Sequence, residues 1–150
     1  MKNLKNLLFD HCENHINNKL KNYLKIDQEL FKSLNEETKS SAGDKHETTR
    51  AMIQIEREKL GKQISLNEQV FKKLISFEKN INTDVVCLGS IVITDNLNYY
   101  LSIPAGFLKI ESKMYYFVSP ISPIGMLLLG KKIKDQIYFN KRTSKILEIK

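Results

Sequence analysis

Residues 119–137 read SPISPIGMLLLGKKIKDQI, and this stretch contains two of the chain's three prolines. Ser122 is a favourable helix N-cap, and Pro123 suits the first helical position, where a backbone N–H would have no intrahelical partner. Gly130 suits the left-handed residue that follows a helix, and the lysines after it complement the helix dipole. The stretch therefore predicts one short helix with well-defined ends, in which the turn from Met126 to Leu129 is buried.

The sequence on both sides of this helix has the pattern of a small β-sheet. Apolar, β-branched and aromatic runs are typical of strands, and turn residues separate these runs. Strands are predicted at 85–94, 99–103, 115–118, 136–140 and 143–149. Five strands and one short helix predict a compact α+β domain of about 65 residues.

The first 82 residues have a different pattern, which is that of long helices. No proline occurs there, and the only glycines are Gly43 and Gly61. Stripe residues recur every three or four positions, which places them on one face of a helix, and such narrow stripes suit two helices that bury each other. The first stripe is Leu4, Leu8, Cys12, Ile16, Leu20, Tyr23 or Leu24, Asp27, Leu30 or Phe31, and Leu34. The second is Met52 or Ile53, Glu56, Leu60, Gln63 or Ile64, Asn67, Val70, Leu74 and Phe77.

The break between the two stripes is KSSAGDKH, at residues 39–46. A short break between two helices of similar length predicts an antiparallel helical hairpin. We expect the helices near residues 5–38 and 47–79, with the tip near 40–46 and Asp44 exposed there. The fold class is therefore α+β, with an antiparallel coiled-coil hairpin at 1–82 followed by the sheet domain at 83–150.

Composition excludes several classes of protein. No window among the 150 residues is apolar enough to span a bilayer, and the first residues do not have the pattern of a signal peptide. Cys12 and Cys87 lie far apart and do not suggest a disulfide framework, which favours a reducing cytoplasm. The net charge of +7 favours polyanions or an acidic protein surface as partners.

Two motifs resemble those of the bacterial Gre-type transcript cleavage factors, the GreA/GreB family. The run SPxSPxGxxLLGKKxxD at residues 119–135 resembles the C-terminal domain of that family. Residues 43–47, GDKHE, resemble the Gly-Asp-x-x-Glu that the family carries at the end of its coiled coil. The two motifs lie in the same order as in the family, and the resemblance covers essentially the whole chain.

The resemblance implies a transcription elongation factor that binds the secondary channel of bacterial RNA polymerase. Its C-terminal domain would be FKBP-like and would dock through Ser122, Pro123 and Ile124. Asp44 and Glu47 at the hairpin tip would assist Mg²⁺ in the polymerase active site, near the RNA 3′ end and possibly DNA. The protein would be an accessory factor and not an enzyme, with no metal or cofactor of its own and no membrane partner. Carboxylates suit that chemistry, because hydrolysis assisted by two metals needs oxygen ligands for hard cations.

Departures from the family pattern keep other functions open. The family commonly continues with Asn-Ala-Glu-Tyr after the tip glutamate, whereas this chain has TTRA at 48–51, and Met126 stands where the family often has arginine. One alternative is therefore a regulator of the same fold that binds the channel without promoting cleavage. Others are an FKBP-like prolyl isomerase, although no ring of aromatic residues for a prolyl pocket is evident, and a basic coiled coil that binds nucleic acid.

Other candidate sites have simpler explanations. Asp44 and Glu47 also have the spacing of a helix capping box, in which Asp44 would be the N-cap of the second helix. His11, Cys12 and His15 lie on neighbouring turns of one helix but match no standard zinc spacing, so packing is expected. The tyrosines at 99, 100, 115 and 116 alternate as sheet residues do, which favours packing over base stacking.

Overall fold

The structure is a computed structural model that describes residues 3–39, 43–76 and 84–150. The helices are α1 (Leu4–Lys39), α2 (Asp44–Ile75) and α3 (Pro123–Leu128). The strands are β1 (Ile91–Thr94), β2 (Asn98–Leu101), β3 (Phe107–Ile110), β4 (Lys113–Val118), β5 (Gln136–Phe139) and β6 (Arg142–Ile149). Two long helices followed by a small mixed sheet confirm the predicted fold class of a helical hairpin and an α+β domain.

The chain forms two compact units. One is Ile16–Lys72, and the other combines Met1–His15 with Lys73–Lys150. The first turns of α1 therefore belong to the same unit as the sheet. The predicted boundary at 82/83 lies outside the described residues, as do positions 40–42 of the predicted tip.

The unit formed by residues 16–72 is an antiparallel pair of helices. Asp27 of α1 pairs with Arg57 of α2, and Glu37 of α1 pairs with His46 of α2. Later residues of α1 thus pair with earlier residues of α2, as antiparallel helices require. The Arg57 Nε donates to Asp27 at 3.0 Å, and its guanidinium lies 4.8 Å from the Phe31 ring centroid. The α2 stripe was predicted to include Glu56, and that was wrong. The Glu56 side chain is 61% exposed, whereas the neighbouring Arg57 faces α1.

The sheet has six strands in the order β3-β4-β2-β1-β6-β5. β2 and β4 are parallel, and the other neighbouring pairs are antiparallel. The five-strand prediction missed β3, because this strand is short and Phe107, its most prominent apolar residue, is 60% exposed. The strand predicted at 85–94 is shorter than expected, since only its last four residues form β1.

A helix packs on each face of the sheet. On one face, Ile124 and Leu128 of α3 form a core with Val92, Leu101 and Ile146. On the other face, α1 contributes Leu8, Phe9 and Cys12, which pack near aromatic residues of β2 and β4. The His11 ring stacks against Phe117 with 4.6 Å between their centroids. Alternate residues of each central strand therefore contribute to two separate apolar layers.

Candidate functional site

The backbone at the hairpin tip shows how α2 begins. The carbonyl oxygen of Gly43 accepts hydrogen bonds from the backbone N–H groups of His46 at 2.9 Å and Glu47 at 3.2 Å. Gly43 therefore occupies the N-cap position, and Asp44 is the first helical residue. Two predictions are corrected here, because α2 starts three residues before position 47 and Asp44 is not its N-cap. Both Asp44 and Glu47 lie in the first helical turn, where the helix dipole favours acidic residues.

A hydrogen bond across the tip joins the end of α1 to the start of α2. His46 Nδ1 lies 2.7 Å from Glu37 Oε2. The Glu37 carboxylate is therefore engaged within the hairpin, whereas the Glu47 side chain is exposed. Sequence reasoning missed Glu37, since its neighbourhood depends on how the two helices pair.

Basic groups stand close to the tip acids along α2. Lys45 is exposed beside Asp44, and Arg50 lies one turn after His46. The Nε of Arg50 is shielded from solvent and has no hydrogen-bond partner among the described residues. The first two turns of α2 thus mix acidic oxygen ligands with positive charge. Because Mg²⁺ takes six oxygen ligands, the carboxylates of Asp44 and Glu47 are too few to hold the ion alone.

The loop before α3 is held by a set of short-range hydrogen bonds. Ser122 Oγ donates to the Ser119 carbonyl at 2.6 Å and accepts from the Gly125 N–H at 3.1 Å. Ser119 Oγ accepts from the Ile121 N–H at 3.3 Å. A Cβ on Gly125 would lie 1.9 Å from the Ser119 oxygen, so only glycine permits this close approach. The predicted cap is confirmed, with Ser122 as N-cap, Pro123 at the first helical position, and Gly130 at a φ of +79° after the helix.

The exposure of side chains around α3 differs from the prediction. Ile124 was proposed to contact a partner, but it is only 7% exposed and packs in the core. The exposed apolar residue of the loop is Ile121, at 84%. The turn from Met126 to Leu129 was predicted to be buried, and only Leu128 is, since Met126 is 61% exposed. The roles of Ser122 and Pro123 in binding a partner stay predictions.

A cavity of about 550 Å³ opens beside α3 in the sheet unit. Three aromatic side chains line it, and the sequence pattern had not indicated this arrangement because they come from three separate strands. The lining is Asn96, Leu97, Tyr99, Tyr116, Val118, Ile124, Ile137, Phe139, Asn140, Arg142 and Ser144. Burial, with a smaller effect of Tyr116, raises the pKa of Tyr99. The Tyr99 hydroxyl therefore stays protonated at neutral pH.

His11 and Cys12, near the start of α1, are engaged in packing. His11 Nε2 lies 3.0 Å from the Ala105 carbonyl oxygen, and Cys12 Sγ donates to Ser102 Oγ at 3.4 Å. Burial raises the pKa of the Cys12 thiol to about 11, and the Ser102 hydrogen bond opposes this only in part. Within residues 3–39, 43–76 and 84–150, no group of three or more His, Cys, Asp or Glu could hold a metal ion. Among these residues, no helix is both long and apolar enough to cross a membrane.

Comparisons with known proteins give a structural likeness and no match in sequence families. No protein-family model and no curated protein matches the sequence. A solved structure described as that of the transcription factor Gfh1 matches with a TM-score of 0.39 and 22% sequence identity. The match covers 91% of this chain and 92% of the other. At that identity and that TM-score, the likeness assigns no function to the present chain.

Proposed function

We propose that this protein is a Gre-type transcription elongation factor, which binds bacterial RNA polymerase and stimulates the polymerase's own cleavage of backtracked RNA. The observation that carries the proposal is the tip of the hairpin. Two acidic residues, Asp44 and Glu47, lie in the first turn of α2, directly after the break between helices of 36 and 32 residues. The motif GDKHE thus coincides with the point where the chain reverses.

The hairpin suits the task of delivering carboxylates into a narrow space. Helices of this length extend for about 50 Å at 1.5 Å per residue, and a pair of them is thin. The Asp27–Arg57 pair holds the helices together along their length, and the His46–Glu37 contact joins them near the tip. The acids would supply oxygen ligands to Mg²⁺, which would promote attack of water on the RNA phosphate in the polymerase active site. The protein itself would be an accessory factor and not an enzyme.

The loop before α3 would supply the docking contact. The hydrogen bonds of Ser119 and Ser122, with Pro123, give it a defined backbone, so little conformational entropy is lost on binding. Ile121 projects from this loop at 84% exposure, and Met126 follows on α3 at 61%. Exposed apolar side chains such as these suit a hydrophobic contact on a partner. Ile121 therefore replaces Ile124 as the residue proposed to touch the polymerase.

The tip is tested by a cleavage assay on a stalled, backtracked elongation complex. Asp44→Ala with Glu47→Ala should abolish stimulated cleavage while binding to core polymerase changes less than twofold. The matched control is Glu58→Ala with Glu68→Ala, which removes two exposed acids from the same helix away from the tip. Full stimulation by the tip variant would show that the metal-assisting role is wrong. Absence of wild-type binding to polymerase would reject the partner as well.

The docking surface is tested by measuring affinity for core polymerase. Ile121→Asp should weaken binding at least tenfold, about 1.4 kcal/mol. Tyr138→Asp is the control, because Tyr138 is 67% exposed on β5 and alternates with Ile137, which packs in the core under α3. Circular dichroism should show both variants folded. Equal affinity of the two variants would reject Ile121 as a contact residue.

A second candidate function keeps the partner but not the cleavage. The observation that favours it is the positive charge of Lys45 and Arg50 close to Asp44 and Glu47, since nearby cations weaken attraction for Mg²⁺. Binding to polymerase without stimulated cleavage would support this reading. Arg50→Glu should then raise cleavage, because it removes a positive charge and adds a negative one. The prolyl isomerase and nucleic-acid-binding alternatives stay predictions, and binding to core polymerase would distinguish both Gre-type functions from them.

A further inference from the structure

The cavity beside α3 arises because one short helix cannot cover a six-stranded sheet. α3 has six residues and extends for only about 9 Å, whereas six strands spaced by about 4.8 Å span about 24 Å. Ile124 and Leu128 fill the core under the helix. Beyond them, the cavity is lined by two cross-strand pairs, Tyr99 with Tyr116 and Phe139 with Arg142. A volume of about 550 Å³ is within the usual range for small-molecule sites.

Two largely buried residues that carry hydroxyl groups line this cavity. Tyr99 is 6% exposed and Ser144 is 5% exposed, and both line it. Neither side chain has a hydrogen-bond partner among the described residues. Among the described residues, Arg50 Nε is the one side-chain polar atom that is both buried and without a hydrogen-bond partner. The hydroxyls of Tyr99 and Ser144 are therefore accessible to solvent. Solvent reaches both hydroxyls, so a ligand oxygen would replace water as their hydrogen-bond partner.

The charge of the lining has a single sign. Arg142 is its one charged residue, and the lining contains no carboxylate. Arg142 makes no ion pair within the described residues. A guanidinium offers several N–H donors and no acceptor, and it pairs well with a planar carboxylate. The rest of the wall is aromatic and aliphatic, apart from two asparagines and Ser144.

We propose that this cavity binds a small organic carboxylate with an apolar body. The carboxylate pairs with Arg142 and accepts from the hydroxyls of Tyr99 and Ser144, while the apolar body contacts the walls of Tyr116 and Phe139. A phosphate ester fits less well, because a dianion would meet one cation and a largely apolar surface. A neutral peptide would leave Arg142 unused. The site lies within the sheet unit and does not depend on binding to polymerase.

The test is an NMR titration of the full chain, labelled with ¹⁵N, with 4-phenylbutyrate as the probe and neutral 4-phenylbutyramide as its comparator. Saturable shifts should appear at Leu97, Tyr99 and Ser144, with a Kd of about 1 mM for a probe of this size. The amide should bind about fivefold more weakly, since it cannot form a charge-assisted pair. This comparison uses the wild-type chain and does not depend on whether any variant folds.

Matched variants test the role of Arg142. Arg142→Gln should weaken 4-phenylbutyrate binding about fivefold, whereas Lys141→Gln removes the same charge next to it and should change affinity less than 1.5-fold. Tyr99→Phe should weaken binding about twofold, because one hydrogen bond is lost. Equal affinity of carboxylate and amide, or equal effects at positions 141 and 142, would overturn the proposal. So would tighter binding of a neutral prolyl peptide, or no saturable shift in the cavity at 20 mM probe.

Discussion

Replacing Gly125 by alanine should destabilise the sheet unit, although alanine is the better helix former. The added Cβ would lie 1.9 Å from the Ser119 carbonyl oxygen, and real Cβ atoms essentially never approach a neighbour closer than 3.0 Å. The loop or the start of α3 must therefore move by about 1 Å to bring this contact to 3.0 Å, and a packed interior does not yield that much without cost. Such a movement breaks the bonds of Ser122 Oγ to the Ser119 carbonyl and the Gly125 N–H.

The expected change in the free energy of unfolding combines a large destabilising contribution with a smaller stabilising one. Each of the two hydrogen bonds contributes about 1 kcal/mol, and overpacking adds about 1–3 kcal/mol of strain. The helix propensity of alanine returns about 1 kcal/mol. The free energy of unfolding should therefore fall by about 2–4 kcal/mol, which lowers the urea midpoint by about 1 M or more.

Gly61→Ala is the matched control, because Gly61 lies within α2 and an added Cβ there meets nothing within 4 Å. It should stabilise the hairpin by about 0.5–1 kcal/mol. Five of the six tyrosines lie between residues 99 and 138, so tyrosine fluorescence reports the sheet unit, while circular dichroism reports mainly the long helices. If Gly125→Ala leaves the tyrosine transition unchanged or raises its midpoint, the Ser119 carbonyl is not held against α3.

Two further predictions concern titration and ion pairing. Burial raises the pKa of Cys12 from 9.0 to about 11, so the folded state binds the thiol proton more tightly than the unfolded state. This stabilisation is complete below pH 9 and is lost as pH rises toward 11. Urea unfolding at pH 8 and 10.5 should show wild type losing about 1–2 kcal/mol more than Cys12→Ala, and equal losses would contradict the assignment. In the hairpin, Arg57→Lys should lower the helical unfolding free energy by about 1 kcal/mol, since lysine cannot make the two-point contact with Asp27. Lys59→Ala, which breaks an exposed pair with Glu56, should have no measurable effect on the same transition.

The two long helices and the ends of α3 follow from the sequence alone, because these features depend on residues that are close along the chain. The three- and four-residue spacing predicted two long helices, because a helix places such residues on one face whatever its partner is. Ser122, Pro123 and Gly130 predicted the ends of α3, since capping depends on backbone groups within one turn. The tip acids were placed between the helices for the same reason.

The tertiary structure decided which side of each element is covered. Ile121 and Ile124 look alike in sequence, yet Ile121 is exposed and Ile124 is buried, because Ile124 lies on the side of α3 that packs against the sheet core. Arg57 and not Glu56 faces α1, since the angle at which two helices pair is a property of both. The cavity near Arg142 depends on residues from β2, β4, β5 and β6, and their proximity follows from strand order, which no local pattern encodes.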